Sequence, residues 1–187
     1  MPFGYWLVRM FKGVDIRTVG SGNIGASNVW RTYGRWLGLT VMVLDVLKGF
    51  VPALLATIYA GDLAGVLAGG AAIAGHWRPL FLGFQRGGKM VATFGGSLLG
   101  VAPLVGAIGA GVWITLFLVS RYASVASIVG ALTLPVVAVG FDEPWPVIVY
   151  TSIGAAAIVF LHRTNIARLR AGTESRFTLR RRKPAAA

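Results

Sequence analysis

Residues 91–120 read Val91-Ala-Thr-Phe-Gly-Gly-Ser-Leu-Leu-Gly-Val-Ala-Pro103-Leu-Val-Gly-Ala-Ile-Gly-Ala-Gly-Val-Trp-Ile-Thr-Leu-Phe-Leu-Val-Ser120, without one charged side chain. A helix needs about 20 apolar residues to cross a bilayer, so this run is too long for one ordinary span. It is flanked by Lys89 and Arg121, and basic flanks stay on the cytoplasmic side. The run is therefore predicted to cross the membrane twice, with a break at Pro103.

The composition of the whole chain agrees with a membrane protein. Hydrophobic residues make up 56% of the 187 residues and charged residues only 13%, which is unlike an ordinary soluble domain. Further apolar runs at 36–60, 63–77, 125–141 and 145–161 each predict one span. Residues 1–8 are apolar but cover only half a span. They are expected to form either an interfacial segment or a truncated first helix. The expected fold is all-α: a polytopic transmembrane helix bundle with six full spans plus the truncated helix.

The positive charges predict the orientation of these spans. Of the 18 Lys and Arg residues, all but Lys48 lie in the segments 9–35, 78–89 and 163–183 or at Arg121, whereas Asp62, Asp142 and Glu143 occupy the opposite connections. This is the positive-inside pattern. The net charge of +12 is thus attributed to topology and not to nucleic-acid binding. Residues 1–176 are expected to form the membrane domain, and 177–187 a basic cytoplasmic tail attracted to anionic lipid.

Three polar clusters adjoin these apolar runs. The first is Gly20-Ser-Gly-Asn-Ile-Gly-Ala-Ser-Asn28 with Arg31, the second is Arg86-Gly-Gly-Lys89, and the third extends from His162 to Glu174. Glycine-rich backbone can direct several N–H groups at an anion, and a nearby cation neutralises the charge. The clusters indicate an enzyme that handles phosphorylated substrates at one membrane face.

These segments resemble the PlsY family. The resemblance rests on Val19-Gly-Ser-Gly-Asn-Ile-Gly-Ala-Ser-Asn-Val-Trp-Arg31, on Asp45-Val-Leu-Lys-Gly49, on Gly75-His76 through Arg86-Gly-Gly-Lys-Met-Val-Ala-Thr93, and on His162-Arg-Thr-Asn165 with Arg168, Gly172 and Glu174. Members of this family are bacterial seven-helix membrane enzymes. The resemblance implies acyl transfer from acyl phosphate to the 1-hydroxyl of sn-glycerol 3-phosphate, giving lysophosphatidic acid and phosphate. It also implies an inner-membrane location, a cytoplasmic active site, and no metal or cofactor.

The candidate site residues come from the three clusters and from one span. The catalytic candidates are Ser21, Arg31, Lys89, His162 and Asn165. The substrate-binding candidates are Gly20, Gly22, Asn23, Gly25, Ser27, Asn28, Asp45, Lys48, Gly87, Gly88, Arg168 and Glu174. Asp45 and Lys48 are one turn apart within a span. They form either part of the active-site wall or only a compensated ion pair. Glu174 binds either a substrate hydroxyl or Arg168.

Several alternatives stay open at the level of sequence. His162 is a general base, an orienting group while the donor phosphate accepts the proton (as the resemblance favours), or a structural residue. No Ser, His and acid constellation suggests a covalent acyl-enzyme. A small transporter or phospholipid flippase is the alternative function, although transporters often contain inverted repeats, and none is found here. Acyl-chain preference and oligomeric state are left open.

Met90 stands where the family usually has Gly. Since Met90-Val91-Ala92 runs directly into an apolar segment, Met90 is expected to begin the next helix, so that Met90→Gly would change KM little. In the alternative, the loop needs a positive φ at this position, which Gly adopts freely.

Overall fold

The computed structural model describes residues 1–177, which contain eight α-helices and no strand. The helices are α1 (Phe3–Lys12), α2 (Ala26–Tyr33), α3 (Arg35–Trp77), α4 (Val91–Val101), α5 (Pro103–Ser120), α6 (Ala123–Gly140), α7 (Trp145–Leu161) and α8 (Arg163–Arg170). Short 3-10 turns lie at Ile16–Thr18 and Leu80–Leu82. The expected all-α bundle is confirmed.

Two expected turns are present as breaks in the helices. Gly61 has φ 79° and ψ 179° inside α3, so the predicted runs 36–60 and 63–77 are the two halves of one broken helix. Ala102 leaves helical geometry with φ −132° and ψ 79°, and Pro103 is the first residue of α5. Proline is well suited to this position because it has no N–H to leave unpaired. The predicted break of the run 91–120 is confirmed.

The helices differ in how well their length fits a bilayer. Within residues 1–177, three apolar helical segments are long enough to span, namely Arg35–Leu82, α5 and α6, with a fourth if α7 and α8, bent by 54°, count together. Helix α4 has only 11 residues, or about 16 Å at 1.5 Å per residue. That is about half of the hydrocarbon thickness. The polytopic architecture is supported, and the count of six full spans stays a prediction.

The main core lies between α3, α4, α5, α6 and α7. It contains Phe94, Leu98, Val105, Val147 and Ile158, all nearly or fully buried. Helices α3 and α4 pack backbone to backbone: a Cβ on Gly49 would overlap the Thr93 carbonyl, and one on Gly96 the Val46 carbonyl. Such close approach by small residues is typical of helix packing in membranes.

A second apolar cluster holds the first polar segment in place. Val8, Ile16, Ile24, Val29 and Val41 are completely buried where α1, the following loop and α2 meet the first half of α3. Ile16 and Ile24 enter this cluster from either side of the glycine-rich stretch. The loop is therefore anchored at two points although its other residues are small and polar.

The last described residues fold back on the bundle. Phe177 is 4% exposed, its N–H donates to the Arg121 carbonyl at 2.8 Å, and its ring meets Trp30 and Phe117 edge-on. The remainder of the expected basic tail 177–187 lies outside the described residues. The division between a domain at 1–176 and a tail stays a prediction.

Candidate active site

One cavity of about 400 Å³ brings the three polar clusters together. Its polar end is lined by one candidate from a span, Asp45, and by candidates from all three clusters, namely Ser21, Asn23, Gly25, Ser27, Asn28, Arg31, Lys89, His162, Asn165 and Glu174. Its apolar end lies between α4, α5 and α6, against side chains such as Leu98, Trp113 and Leu134. The cavity can hold an anionic head at one end and a hydrocarbon chain at the other.

A second, outer cleft of about 480 Å³ meets this cavity at Ser21. It is lined by Asp15, Arg17, Thr18, Ser21, Gly22, Gln85 and Arg86. Arg17 is paired with Asp15 at 2.6 Å and donates to the Gln85 side-chain oxygen at 2.5 Å. The cleft therefore lies between the first and second polar clusters. Among the substrate-binding candidates, Gly22 lines this cleft and not the inner cavity.

Asn28 holds the glycine-rich loop in shape. It is 2% exposed; its side-chain amide donates to the carbonyls of Val19 at 3.1 Å and Asn23 at 2.9 Å, and its Oδ1 accepts the Ser21 N–H at 2.9 Å. Gly20 follows the curve of the loop with a left-handed φ of 62° and does not line the cavity. Because Asn28 uses both ends of its amide inside the protein, it acts on a ligand through the loop.

The first turn of α2 supplies the free donors of this cluster. Within the described residues, the N–H groups of Ala26 and Ser27 and the hydroxyl of Ser21 have no hydrogen-bond partner, and all three residues line the cavity. Unpaired N–H groups at a helix N-terminus favour an anion. Arg31 follows on the same helix, with its guanidinium 5.3 Å from the centre of the Phe177 ring. This arrangement is suited to a phosphate group.

Glu174 is the centre of the third cluster. One carboxylate oxygen accepts from Ser124 Oγ at 2.7 Å and Asn165 Nδ2 at 2.6 Å, and the other accepts from Arg168 Nε at 2.7 Å. Burial raises the pKa of Glu174, but the hydrogen bonds from Asn165, Ser124 and Arg168 outweigh it and leave the pKa below its ordinary value. Of the two alternatives for Glu174, the structure contains the ion pair with Arg168.

Lys89 joins this network from the second cluster. Its ammonium donates to Asn165 Oδ1, so Asn165 links Lys89 to Glu174. Burial, together with the positive charges of Arg168, Arg86 and Arg31, lowers the pKa of Lys89 to about 8, although Glu174 acts in the opposite direction. A cation that is partly desolvated and surrounded by other cations gains much from an anionic ligand.

His162 has a defined tautomer at the bend between α7 and α8. It is 4% exposed, and its Nδ1 lies 2.8 Å from the Ile158 carbonyl oxygen. A carbonyl only accepts, so Nδ1 carries the proton of the neutral ring. The lone pair is then on Nε2, which is suited to a substrate hydroxyl. Both the general-base and the orienting alternatives remain compatible with this geometry.

Asp45 and Lys48 form a buried ion pair. The Lys48 ammonium also donates to the Met1 carbonyl at 3.1 Å and to His76 Nδ1 at 2.6 Å. Asp45 lines the cavity and Lys48 does not. Both of the alternatives considered for the pair therefore hold in part: Asp45 lies in the cavity wall, and Lys48 is the internal counter-charge.

The amides of Gly87 and Gly88 are occupied within the protein. Gly87 N–H donates to the Trp77 carbonyl at 2.9 Å and Gly88 N–H to the His76 carbonyl at 3.1 Å. Neither glycine lines the cavity. The hypothesis that these two amides cradle a phosphate is not supported, because their donors face the end of α3. The loop instead places Lys89 in the site.

Met90 does not begin helix α4, which corrects the favoured prediction. Helix α4 starts at Val91, and Met90 precedes it in the left-handed region with φ 72°. The alternative, a loop that needs a positive φ here, is the one that the structure contains. A non-glycine residue in this region costs roughly 1–2 kcal/mol. The side chain of Met90 is 6% exposed in the main core, and its burial offsets that cost.

Some residues of the cavity were not predicted from the sequence. Ser124, Trp113 and Phe177 all line it, and so does His76, which the sequence had identified only as part of the Gly75-His76 motif. Ser124 and Trp113 belong to no polar cluster, and Phe177 was assigned to the tail. The one available signal is that Ser124 follows Arg121 at the start of a span, on the face where the other clusters lie.

Known proteins resemble this chain over most of its length. The family described as glycerol-3-phosphate acyltransferase matches residues 1–172. A glycerol-3-phosphate acyltransferase of Desulforamulus reducens is 42% identical over 175 residues, 93% of this chain and 87% of the relative. Another, of Roseiflexus sp. (strain RS-1), is 45% identical over 184 residues, 95% of this chain and 89% of the relative.

Solved structures give the same result. A crystal structure of PlsY, an integral membrane glycerol 3-phosphate acyltransferase in its glycerol 3-phosphate form, has a TM-score of 0.87 and 40% identity, covering 94% of this chain and 92% of that one. The lysophosphatidic acid form has a TM-score of 0.87 and 39% identity, covering 95% and 89%. These matches confirm the resemblance to PlsY and favour an enzyme over a transporter. The chain belongs to the glycerol-3-phosphate acyltransferase family.

Proposed function

We propose that this protein transfers an acyl group from acyl phosphate to the 1-hydroxyl of sn-glycerol 3-phosphate, producing lysophosphatidic acid and phosphate. The observation that carries the proposal is the continuity of the cavity, which joins two cationic positions to an apolar slot. The solved relatives were obtained as glycerol 3-phosphate and lysophosphatidic acid forms. A substrate with a phosphorylated head and a long chain fits both ends of the cavity.

The two cationic positions match a reaction with two phosphorylated substrates. One is the first turn of α2 with Arg31, and the other is Lys89 with Asn165. Each phosphate needs hydrogen bonds and a counter-charge when it leaves water. The acyl chain extends between α4, α5 and α6, and the soluble glycerol phosphate enters through the outer cleft between the first two clusters. No nucleic-acid partner and no cofactor are required.

The chemistry proceeds without a covalent acyl-enzyme. The substrate hydroxyl oxygen attacks the acyl carbonyl carbon, the new C–O bond forms, the bond from that carbon to the phosphate oxygen breaks, and the departing phosphate takes the hydroxyl proton. His162 Nε2 orients the hydroxyl. Support comes from the serine contacts: within residues 1–177, Ser124 donates to Glu174 and Ser127 to the Ala123 carbonyl, and no serine is hydrogen-bonded to His162.

The donor is tested by offering glycerol 3-phosphate to the purified protein in lipid with one acyl donor at a time. We expect lysophosphatidic acid with acyl phosphate alone, because the cavity has a second cationic position, at Lys89, for the phosphate of such a donor. Product is measured by mass spectrometry or radiolabel. Equal turnover with acyl-CoA would refute the proposed donor, and movement of phospholipid across liposomes without product would favour the flippase alternative.

We also propose that the polar end of the cavity faces the cytoplasm in a bacterial inner membrane. The charge distribution supports this orientation, and the opposite end of the bundle is acidic: burial and the neighbouring Asp62 both raise the pKa of Glu143. Asp62 lies beside the break at Gly61 in α3, and Glu143 lies in the connection between α6 and α7.

Cysteine labelling tests the orientation without background, since the chain has no native cysteine. A cysteine at Gln85 is expected to react with a membrane-impermeant maleimide only from the cytoplasmic side, and one at Asp142 only from outside. Inverted and right-side-out vesicles provide the two sides. Labelling of both positions from the same side would rule out the proposed topology.

A further inference from the structure

We propose that His76 is a positioning residue for Lys89: Gly88 packs against its buried ring, and this contact sets where the Lys89 ammonium lies. The inference rests on the proposed role of Lys89 as a phosphate ligand. It assigns a role in the reaction to a side chain that belongs to α3 and not to any of the three polar clusters.

The fit between His76 and Gly88 is the first observation. A Cβ on Gly88 would overlap the His76 ring, and the three nearest atoms to it are ring atoms, Nε2, Cε1 and Cδ2. The Gly88 N–H donates to the His76 carbonyl at 3.1 Å. Ring and carbonyl of one residue therefore contact Gly88 from two directions. His76 is 3% exposed, so the ring has little freedom to move away.

The second observation is what holds the ring. Lys48 Nζ lies 2.6 Å from His76 Nδ1, and an ammonium group only donates, so Nδ1 accepts. Lys48 is held in turn by Asp45. The ion pair inside α3 thus fixes both the rotation and the tautomer of the ring. The Asp45–Lys48 pair therefore orients the His76 ring in addition to neutralising its own two charges.

The third observation links the ring to the site. Lys89 follows Gly88 directly and reaches Asn165 and, through it, the Glu174 network. A shift of Gly88 therefore displaces the Lys89 backbone by a similar distance. Displacements on the order of 1 Å can cost about 100-fold in rate when a charged ligand must be held precisely.

The test adds a methyl group at Gly88 and removes ring atoms at His76. Gly88→Ala is expected to raise KM for glycerol 3-phosphate or acyl phosphate by about 10- to 100-fold with less change in kcat. His76→Asn keeps an oxygen acceptor near the Nδ1 position and removes the ring atoms that meet the new Cβ. The double variant is expected to recover at least about tenfold relative to Gly88→Ala, a coupling that independent sites do not show. His76→Ala is the second partner if the first folds poorly.

Gly87→Ala is the matched control. A Cβ on Gly87 would overlap the carbonyl of His76 and lie 2.8 Å from Pro79 Cδ and the Trp77 carbonyl. His76→Asn leaves these atoms in place and should not rescue it. Absence of a KM effect in Gly88→Ala, absence of recovery in the double variant, or equal recovery with Gly87→Ala would each overturn the proposal. Lys89→Ala in the same assay separates the causes: if it keeps full activity, the role of Lys89 itself is wrong.

Discussion

Lys89→Ala is expected to lower kcat/KM at least about 100-fold, because it removes roughly 3 kcal/mol of contact with a desolvated phosphate. Lys89 lines the cavity together with Arg31 and Asn165, and its ammonium donates to Asn165 directly. Its loss also leaves Asn165 Oδ1 without a donor inside the network of Glu174. Steady-state kinetics with each phosphorylated substrate in turn will show which KM carries the change.

Lys12→Ala provides the matched control for Lys89→Ala. Lys12 is exposed at the end of α1 and lines neither cavity, while its removal changes the net charge by the same amount. We expect kcat/KM within about twofold of the wild type, as for most surface substitutions. Similar losses in Lys12→Ala and Lys89→Ala would mean that a general basic surface, and not a site, attracts the substrates.

The pH dependence gives an independent measure of the same group. Because burial and the charges of Arg168, Arg86 and Arg31 outweigh Glu174 and lower the pKa of Lys89 to about 8, the ammonium is charged below that pH and neutral above it. Substrate binding is therefore expected to weaken as the pH rises through 8. In Lys89→Arg this alkaline decline should disappear, since arginine stays protonated. An unchanged decline in that variant would assign it to another group.

Much of the fold followed from charge and length alone. A run without charge between two basic flanks predicted the break at Pro103, and the Gly61–Asp62 pair predicted the break in α3. Both are local effects, since proline and glycine restrict or free the backbone at their own positions. The break at Pro103 also set the length of α4, because a helix that begins at Val91 and ends before Pro103 has room for only about three turns. Apolar composition did not show that Met90 stays outside this helix, because its left-handed φ is a property of the loop before it.

The site was predicted as a set of clusters but not as a network. The motifs identified Lys89, His162 and Asn165, and the cavity contains all three. Only the structure showed where each donor points. Asn28 and the Gly87 and Gly88 amides bond within the protein, whereas in residues 1–177 the Ala26 and Ser27 amides have no partner. Such pairings cannot be recognised from the sequence, because the partners are far apart in it: Ser124 and Glu174 are separated by 50 residues.

His162→Ala is expected to lower kcat/KM roughly 100-fold, and His162→Gln to recover a large part of that loss. In the proposed mechanism Nε2 only accepts a hydrogen bond from the substrate hydroxyl, and the departing phosphate takes the proton. A glutamine side-chain oxygen also accepts, although an amide is not a base at neutral pH. The two variants therefore separate orientation from proton abstraction at one position.

A direct base gives the opposite pattern in the same two variants. Removal of a general base costs about 100- to 10,000-fold whatever replaces it, so His162→Gln would be as impaired as His162→Ala. Each variant loses the Nδ1 hydrogen bond to Ile158 and should be destabilised to a similar extent. Thermal unfolding of both variants checks that a difference in activity does not come from a difference in folding. The tautomer suits both roles, because Ile158 holds the ring proton on Nδ1 and leaves Nε2 as an acceptor for the hydroxyl. Orientation is expected because the resemblance to the PlsY family favours transfer of the proton to the donor phosphate.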